Sequence, residues 1–184
     1  MHKTRGRGDP DPYWGIDTQP QRLDAVFRWT PAGAGVLDLG CGRGAYVHAL
    51  RGSGFRLVGA DVHQYSEWLH QDCQPFIVCE ASALPFRHKA FHTTLAFEVL
   101  EHCADPHAAL FEIARCTSDQ IIISVPNYDL DNALHRYDLA MAHWTDPSHC
   151  NFFTKDTLRI LLSEKGFTIL EMSDCYAISP NNYF

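Results

Sequence analysis

Val36-Leu-Asp-Leu-Gly-Cys-Gly-Arg-Gly-Ala-Tyr46 is the stretch of this chain that decides its fold. Apolar side chains surround Asp38 at its start, which predicts a buried strand. The strand ends abruptly at Gly40, Gly42 and Gly44, and a helix-compatible segment follows. Because glycine has no Cβ, such a turn lets backbone N–H groups approach a ligand closely. The stretch therefore predicts a strand, a ligand-binding turn and a helix, in that order.

Strand-like and helix-like segments alternate along the rest of the chain. The predicted strands are Gly35–Leu39, Phe55–Ala60, Phe76–Cys79, Phe91–Phe97, Gln120–Val125 and Phe167–Met172. The predicted helices are Gln21–Trp29, Ala45–Arg51, Gln64–Gln71, Pro106–Cys116 and Lys155–Lys165, with Asp105 and Thr154 as N-caps of the last two. Strands joined to helices by short connections predict an α/β fold, a parallel sheet covered by helices on both faces.

Length and composition narrow the class of protein. The chain has 184 residues, which suits one domain, predicted over residues 21–184. Residues 1–20 contain Gly and Pro repeatedly and are expected to form a flexible N-terminal arm. A net charge of −7 argues against a nucleic-acid-binding protein, because such proteins usually carry a basic stripe.

Cysteines and apolar runs indicate the compartment. The seven cysteines are scattered without a Cys-x-x-Cys pair, which favours reduced thiols over disulfides or a zinc ribbon. No apolar run reaches the roughly 18 residues that a membrane helix needs. We therefore expect a cytoplasmic protein that does not interact with membranes.

Five segments, in order, resemble motifs of the class I S-adenosylmethionine-dependent methyltransferases, and of the type-11 family in particular. They cover roughly residues 21–172 and comprise Val36–Tyr46, Arg56–Asp61, Cys79–Phe86, Phe91–His102 and His149–Phe167. The resemblance implies a Rossmann-like, doubly wound, mostly parallel sheet of seven strands with helices on both faces. Only Ile178–Phe184 remains for the seventh, antiparallel strand, so that strand is expected to be short or truncated.

The resemblance also implies a cofactor, S-adenosylmethionine, with S-adenosylhomocysteine as product. Asp61, at the end of the second strand, is expected to accept hydrogen bonds from the ribose hydroxyls. By the resemblance, Glu80 and Ala81 lie at the adenine. The complete set of expected cofactor-binding residues is Asp38, Gly40, Cys41, Gly42, Gly44, Asp61, Val62, Glu80, Ala81, Phe97 and Glu98.

The glycine turn by itself allows a second cofactor. Gly40-Cys-Gly-Arg-Gly-Ala45 also satisfies the Gly-x-Gly-x-x-Ala fingerprint of NAD(P)-binding oxidoreductases, and Asp61 would then bind the ribose of that nucleotide. The downstream motifs favour a methyltransferase. Asp38 does too, because a carboxylate suits the cationic S-adenosylmethionine better than a pyrophosphate. A non-catalytic S-adenosylmethionine-binding accessory protein is a further alternative.

The acceptor side is predicted at residues 127–151, a long connection beyond the fifth strand. We hypothesise that His149 or His143 contacts or deprotonates the acceptor, because imidazole titrates near neutral pH. His102 is a third candidate for a catalytic residue. The alternative is that His149 only anchors the helix that follows. The acceptor itself is expected to be a small molecule or a glycan rather than nucleic acid.

A metal site is not expected from the sequence. The pairs His102/His107 and His149/Cys150 have the right chemistry for ligands, but their spacing matches no established metal-binding pattern.

The glycine turn provides the first test. Gly42→Val should abolish S-adenosylmethionine binding in a calorimetric titration, because a β-branched side chain occupies the approach path of the ligand and resists turn geometry. An unchanged far-UV circular dichroism spectrum would show that the variant is folded. Undiminished affinity in a folded variant would mean that the cofactor binds elsewhere.

Overall fold

Five parallel strands form the sheet on which the fold is built. The computed structural model describes residues 17–70, 75–130 and 146–175. The strands are β1 Gly35–Leu39, β2 Arg56–Asp61, β3 Phe76–Val78, β4 Phe91–Phe97 and β5 Thr117–Ser124. Their order across the sheet is β3-β2-β1-β4-β5, and every neighbouring pair is parallel. These strands confirm the first five predicted from the sequence to within a few residues at their ends.

The described residues include four α-helices: α1 Pro20–Trp29, α2 Ala45–Ala49, α3 Pro106–Cys116 and α4 Lys155–Glu164. The predicted N-caps are confirmed, since the Asp105 side chain accepts from two N–H groups of α3 and Thr154 forms a capping box with Thr157. Short 3-10 helices cover Ser66–His70, Leu100–His102 and Tyr128–Leu130. The prediction of an α-helix over Gln64–Gln71 is therefore wrong within the described part, where a single 3-10 segment links β2 to β3.

Strand β1 shows how the sheet is covered on both faces. Leu37 and Leu39 belong to one core cluster, together with side chains of α3 and α4. Val36 belongs to the other cluster, which includes side chains of α1 and α2. Since successive residues of a strand point to opposite faces, this division confirms a doubly wound fold. All five residues of β1 are buried, as expected for the central strand.

The sheet of the described residues has five strands, not seven. Residues 167–172 are predicted to form a sixth strand but pair with none of the described strands. Phe167 and Ile169 do pack against the core, and Thr168 between them is exposed. This alternating burial is typical of a strand, but burial of one face does not require backbone pairing. The predicted seventh strand, 178–184, lies outside the described residues.

Ion pairs hold the segment after α4 in place instead. Glu171 accepts from Arg28 of α1 at 3.1 Å, and Asp174 accepts from Lys155 of α4 at 2.6 Å. At the other end of the chain, α1 begins at Pro20, one residue inside the predicted arm, and residues 1–16 lie outside the described residues. None of the helices in the described ranges is long and apolar enough to cross a membrane.

Adjacent residues of α3 provide a stability test of this packing. Leu110 is fully buried, whereas Phe111 is 64% exposed. Leu110→Ala should lower the free energy of unfolding by about 2–5 kcal/mol, because it leaves a cavity against the sheet. Phe111→Ala is the control and should change it by less than about 0.5 kcal/mol. Urea denaturation measures both, and equal effects would contradict the assigned core.

Candidate functional site

The carboxyl ends of β1, β2 and β4 meet at one edge of the sheet. Strand β2 lies on one side of β1, and β4 lies on the other side of β1. The order of the strands therefore reverses between β1 and β4. In open α/β sheets, ligands bind outside the carboxyl ends of the strands at such a reversal. Asp38 and Gly40, Asp61, and Phe97 with Glu98 all lie at this edge, so the fold brings together residues that the sequence predicted for one site.

Close packing explains the first glycine of the turn. Gly40 has a φ of +72°, a conformation that residues with a Cβ rarely adopt. A Cβ at this position would lie only 2.5 Å from Cγ2 of Val99, in the segment after β4. Gly42 and Gly44 also have positive φ values, of 52° and 86°. The glycines therefore let the turn lie directly against the neighbouring strand end.

The N–H groups at the start of the turn already have partners. Gly40 and Cys41 both donate to the carbonyl oxygen of Ala60, at 2.8 and 3.1 Å. Gly42 donates to Oδ2 of Asp61 at 2.8 Å. These groups hold the turn against the end of β2. A phosphate site needs free N–H donors, so this arrangement favours a ligand that is recognised through carboxylates.

Asp61 has a structural role as well as its predicted binding role. Its second oxygen, Oδ1, accepts from the N–H of His63 at 3.0 Å, and only 9% of the residue is exposed. Because each carboxylate oxygen has two lone-pair positions, Asp61 can accept further hydrogen bonds from ribose hydroxyls. Trp68 encloses the same turn by donating from Nε1 to the carbonyl oxygen of Gly42 at 2.8 Å.

Asp38 carries a buried carboxylate that lacks a full set of partners. The residue is 2% exposed, and its Oδ2 has no hydrogen-bond partner among the described residues. Burial, and then the charge of Asp61, raise the pKa of Asp38 to about 7, while an N–H of Val47 opposes the shift. A buried acceptor without a donor is costly unless a ligand supplies one. The ammonium group of the expected cofactor fits this requirement.

The residues after β4 are strained and tightly bonded. Glu98 has a φ of +55°, which is rare for a residue with a side chain. Its Oε1 accepts from Arg22 of α1 at 2.5 Å and from Ser124 of β5 at 2.9 Å. The Arg22 guanidinium also lies 5.2 Å from the centre of the Phe97 ring. Glu98 thus joins α1 to β5, and Phe97 is largely buried beneath Arg22.

The remaining predicted cofactor residues surround the end of β3. Cys79 donates its N–H to the carbonyl oxygen of Asp61 at 2.9 Å, which places Glu80 and Ala81 immediately beyond this contact. Glu80 is exposed and Val62 is 54% exposed, so both side chains are accessible to a ligand. The thiol of Cys41 is buried, and burial raises its pKa, so it is not a reactive thiolate.

A second group of ionisable side chains lies beyond β4. Glu101, His102 and His149 each offer a ligand atom, and these atoms lie within 4.8 Å of one another. The two imidazole rings meet edge to face with their centroids 4.6 Å apart. The fold therefore joins two of the three histidines predicted to be catalytic, whereas His143 lies outside the described residues.

Glu101 is the residue of this group that the sequence analysis did not select. It is 1% exposed, and neither carboxylate oxygen has a hydrogen-bond partner among the described residues. Burial, with the charge of Glu98 as the next contribution, raises its pKa. Burial and the neighbouring His149 lower the pKa of His102. The only sequence signal was its position three residues after Glu98 in a motif already identified.

The sequence also missed residues that shape the cofactor side. Arg22 and Trp68 contact the strand ends from α1 and from the β2–β3 connection, outside the sequence motifs. No local pattern marks either residue, because their roles follow from how the helices cover the sheet.

Comparisons with known proteins agree with this geometry. The family profile described as "Methyltransferase domain" matches residues 17–172. An O-methyltransferase from Pyrenophora dematioidea is 28% identical over 171 residues, a match that covers 86% of this chain and 64% of the relative. The chain thus spans less than two thirds of the length of that relative.

Solved structures show the same fold. The 1,6-didemethyltoxoflavin-N1-methyltransferase of Burkholderia thailandensis, with bound 1,6-didemethyltoxoflavin and S-adenosylhomocysteine, has a TM-score of 0.66 at 21% identity, over 83% of this chain and 68% of its own. A SAM-dependent methyltransferase from Archaeoglobus fulgidus has a TM-score of 0.64 at 23% identity, over 80% and 67%. The likeness confirms the Rossmann-like class of the fold.

Asp38 gives a pH-dependent prediction. The pKa of Asp38 is about 7 in the folded protein and 3.8 as a free side chain. Between these two pH values the folded protein holds the Asp38 proton, whereas the unfolded chain has lost it. The favourable contribution of the protonated group is complete below about pH 4 and is lost as the pH rises through about 7. Asp38→Asn removes this titrating group. Between about pH 4.5 and 8 the variant should therefore lose less stability than the wild type, by on the order of 1 kcal/mol or more.

Urea denaturation of the ligand-free protein at the two pH values measures this difference. Asp24→Asn is the matched control, because Asp24 is an exposed acid on α1. It should leave the pH dependence of the wild type unchanged. The same dependence in the Asp38 variant as in the wild type would show that Asp38 is ionised in the folded protein throughout.

Proposed function

The chain belongs to the methyltransferase-domain family, and we propose that it transfers the methyl group of S-adenosylmethionine to a hydroxyl group of a small-molecule or glycan acceptor. Membership of the type-11 subgroup stays a prediction. The domain is proposed to act in the cytoplasm. A non-catalytic role as an S-adenosylmethionine-binding accessory protein is the alternative that the experiment below must separate from catalysis.

The buried carboxylate of Asp38 is the observation that supports this cofactor best. Its Oδ2 is unpartnered among the described residues, at the point where the glycine turn leaves β1. The N–H groups of Gly40, Cys41 and Gly42 are bonded to Ala60 and Asp61, which leaves fewer donors in the turn for a pyrophosphate. A cationic nucleoside meets both conditions, and this argues against an NAD(P)-dependent oxidoreductase.

The chain's own residues bind and orient the reactants. Asp38 accepts from the ammonium group, Asp61 accepts from the ribose hydroxyls, and Glu80 and Ala81 border the adenine. S-adenosylmethionine supplies a methyl group already activated on a sulfonium, which leaves by in-line displacement. The protein's main contribution is therefore proximity and alignment, in a site screened from water.

The hydroxyl acceptor is inferred from the curated relative. That relative is named an O-methyltransferase, whereas the Burkholderia structure is of an N-methyltransferase. A hydroxyl must lose its proton during transfer, so a group that assists this loss is needed at the acceptor side. His102 and His149 lie together. They are the proposed acceptor-side residues, with His143 still predicted from the sequence.

Binding and transfer are tested separately. Calorimetric titration should show binding of S-adenosylmethionine and S-adenosylhomocysteine and none of NADH or NADPH. Asp61→Ala should weaken S-adenosylmethionine binding by about 1.5–3 kcal/mol, or roughly 10- to 150-fold, because charge-assisted hydrogen bonds to the ribose are lost. Glu171→Ala, at an exposed ion pair with Arg28, is the control. NADH binding without S-adenosylmethionine binding would overturn the proposal.

A screen with methyl-labelled S-adenosylmethionine then identifies the acceptor. Phenols, aliphatic alcohols and sugars are compared with amines of similar shape, and label in the hydroxyl compounds is the expected result. Tight cofactor binding with no labelled product from any class would favour the accessory role. Label only in amines would leave methyl transfer intact but contradict the hydroxyl acceptor.

A further inference from the structure

We propose that Glu101, His102 and His149 bind a divalent transition-metal ion at the acceptor side of the site. Their ligand atoms lie within 4.8 Å of one another. An ion with bonds of about 2.1 Å keeps its ligands about 3–4.2 Å apart, so a small side-chain rotation closes the set. Spacing along the sequence gave no reason to expect this site, because His149 lies 47 residues beyond His102.

Glu101 is an independent indication of a missing cation. It is 1% exposed, and both carboxylate oxygens lack hydrogen-bond partners among the described residues. An ionised carboxylate in such a site is costly, and a bound cation would compensate its charge. The two imidazoles beside it are nitrogen ligands, which suit a transition metal better than an alkali cation.

The contacts of Nδ1 orient the His102 ring. Its Nδ1 lies 3.3 Å from the carbonyl oxygen of Ser148 and 3.1 Å from the Ser148 hydroxyl. A carbonyl can only accept, so this contact favours the proton on Nδ1. Metal-binding histidines usually donate their other N–H to a carbonyl or carboxylate in this way.

The segment that carries His149 is docked rigidly against the turn that carries the other two ligands. The N–H groups of Cys150 and Asn151 both donate to the carbonyl oxygen of Glu101, at 2.7 and 3.0 Å. The Asn151 amide donates to the carbonyl oxygens of Leu100 and Cys103, at 3.1 and 2.6 Å. Backbone contacts therefore set the separation of the three ligands. The His149 side chain is 7% exposed, which is consistent with a ligand position.

The ligand set indicates both the metal and its role. Two imidazoles and one carboxylate suit Zn²⁺, Co²⁺, Mn²⁺ or Fe²⁺ and leave at least one coordination position open. If the chain is a methyltransferase as proposed above, an acceptor hydroxyl in that position has a lowered pKa. Its proton passes to solvent, its oxygen bonds to the methyl carbon, and the carbon–sulfur bond breaks. His102 and His149 then act as metal ligands rather than as general bases.

Cobalt(II) is the probe, because its ligand-field absorption reports nitrogen and oxygen ligands directly. The whole chain, prepared without a histidine tag and treated with EDTA, is titrated with Co²⁺. We expect saturable visible absorption at one equivalent, displaced by Zn²⁺ but not by Mg²⁺. Glu101→Gln and His149→Ala should each weaken Co²⁺ binding at least tenfold. His107→Ala is the control, an exposed histidine on α3 that should leave binding unchanged.

Cofactor binding keeps the result interpretable. S-adenosylmethionine affinity is measured for each variant, so loss of Co²⁺ binding in a variant that still binds the cofactor shows loss of the site rather than of the fold. The metal site would be overturned if the wild type showed no saturable Co²⁺ binding, or if both ligand variants bound Co²⁺ as tightly as the wild type. Neither result would affect the proposed methyl transfer. Co²⁺ binding without any labelled product would overturn the methyl transfer and keep the site.

Discussion

The carboxylate of Asp61 joins the two strand ends on which the cofactor site depends. One oxygen accepts the N–H of Gly42 from the turn after β1, and the other accepts the N–H of His63 after β2. Parallel strands bring these ends side by side, but only a bond between them sets the position of the turn. The buried Asp38 lies just before this turn, so its position relative to a cofactor also depends on the Asp61 contacts.

Two unpartnered buried carboxylates, of Asp38 and Glu101, lie in β1 and just beyond the carboxyl end of β4, on the two sides of the point where the strand order reverses. Ionising either group in the ligand-free protein is costly, since each loses its water without gaining a full set of donors. Their presence is therefore best understood through ligands. Asp38 fits the ammonium of the cofactor, and Glu101 fits a cation at the acceptor side.

The local sequence pattern was sufficient to predict a residue's role wherever that role depends on the residue's own strand or helix. The strand, glycine turn and helix around Asp38 were predicted because burial and turn geometry are encoded in adjacent residues. The caps Asp105 and Thr154 were predicted for the same reason. The predicted strand at 167–172 pairs with no described strand, because backbone pairing depends on a partner elsewhere in the chain.

By itself, the sequence determined the α/β class, the methyltransferase resemblance and the residues that belong to the cofactor edge. Ordered motifs carry this information because each is a short segment with its own geometry. Only the tertiary structure decided that the N–H groups of the glycine turn are occupied, that Arg22 bonds to Glu98, and that Glu101 meets His149. These contacts join segments from 19 to 76 residues apart, and their geometry arises only when the sheet order and the covering segments are in place.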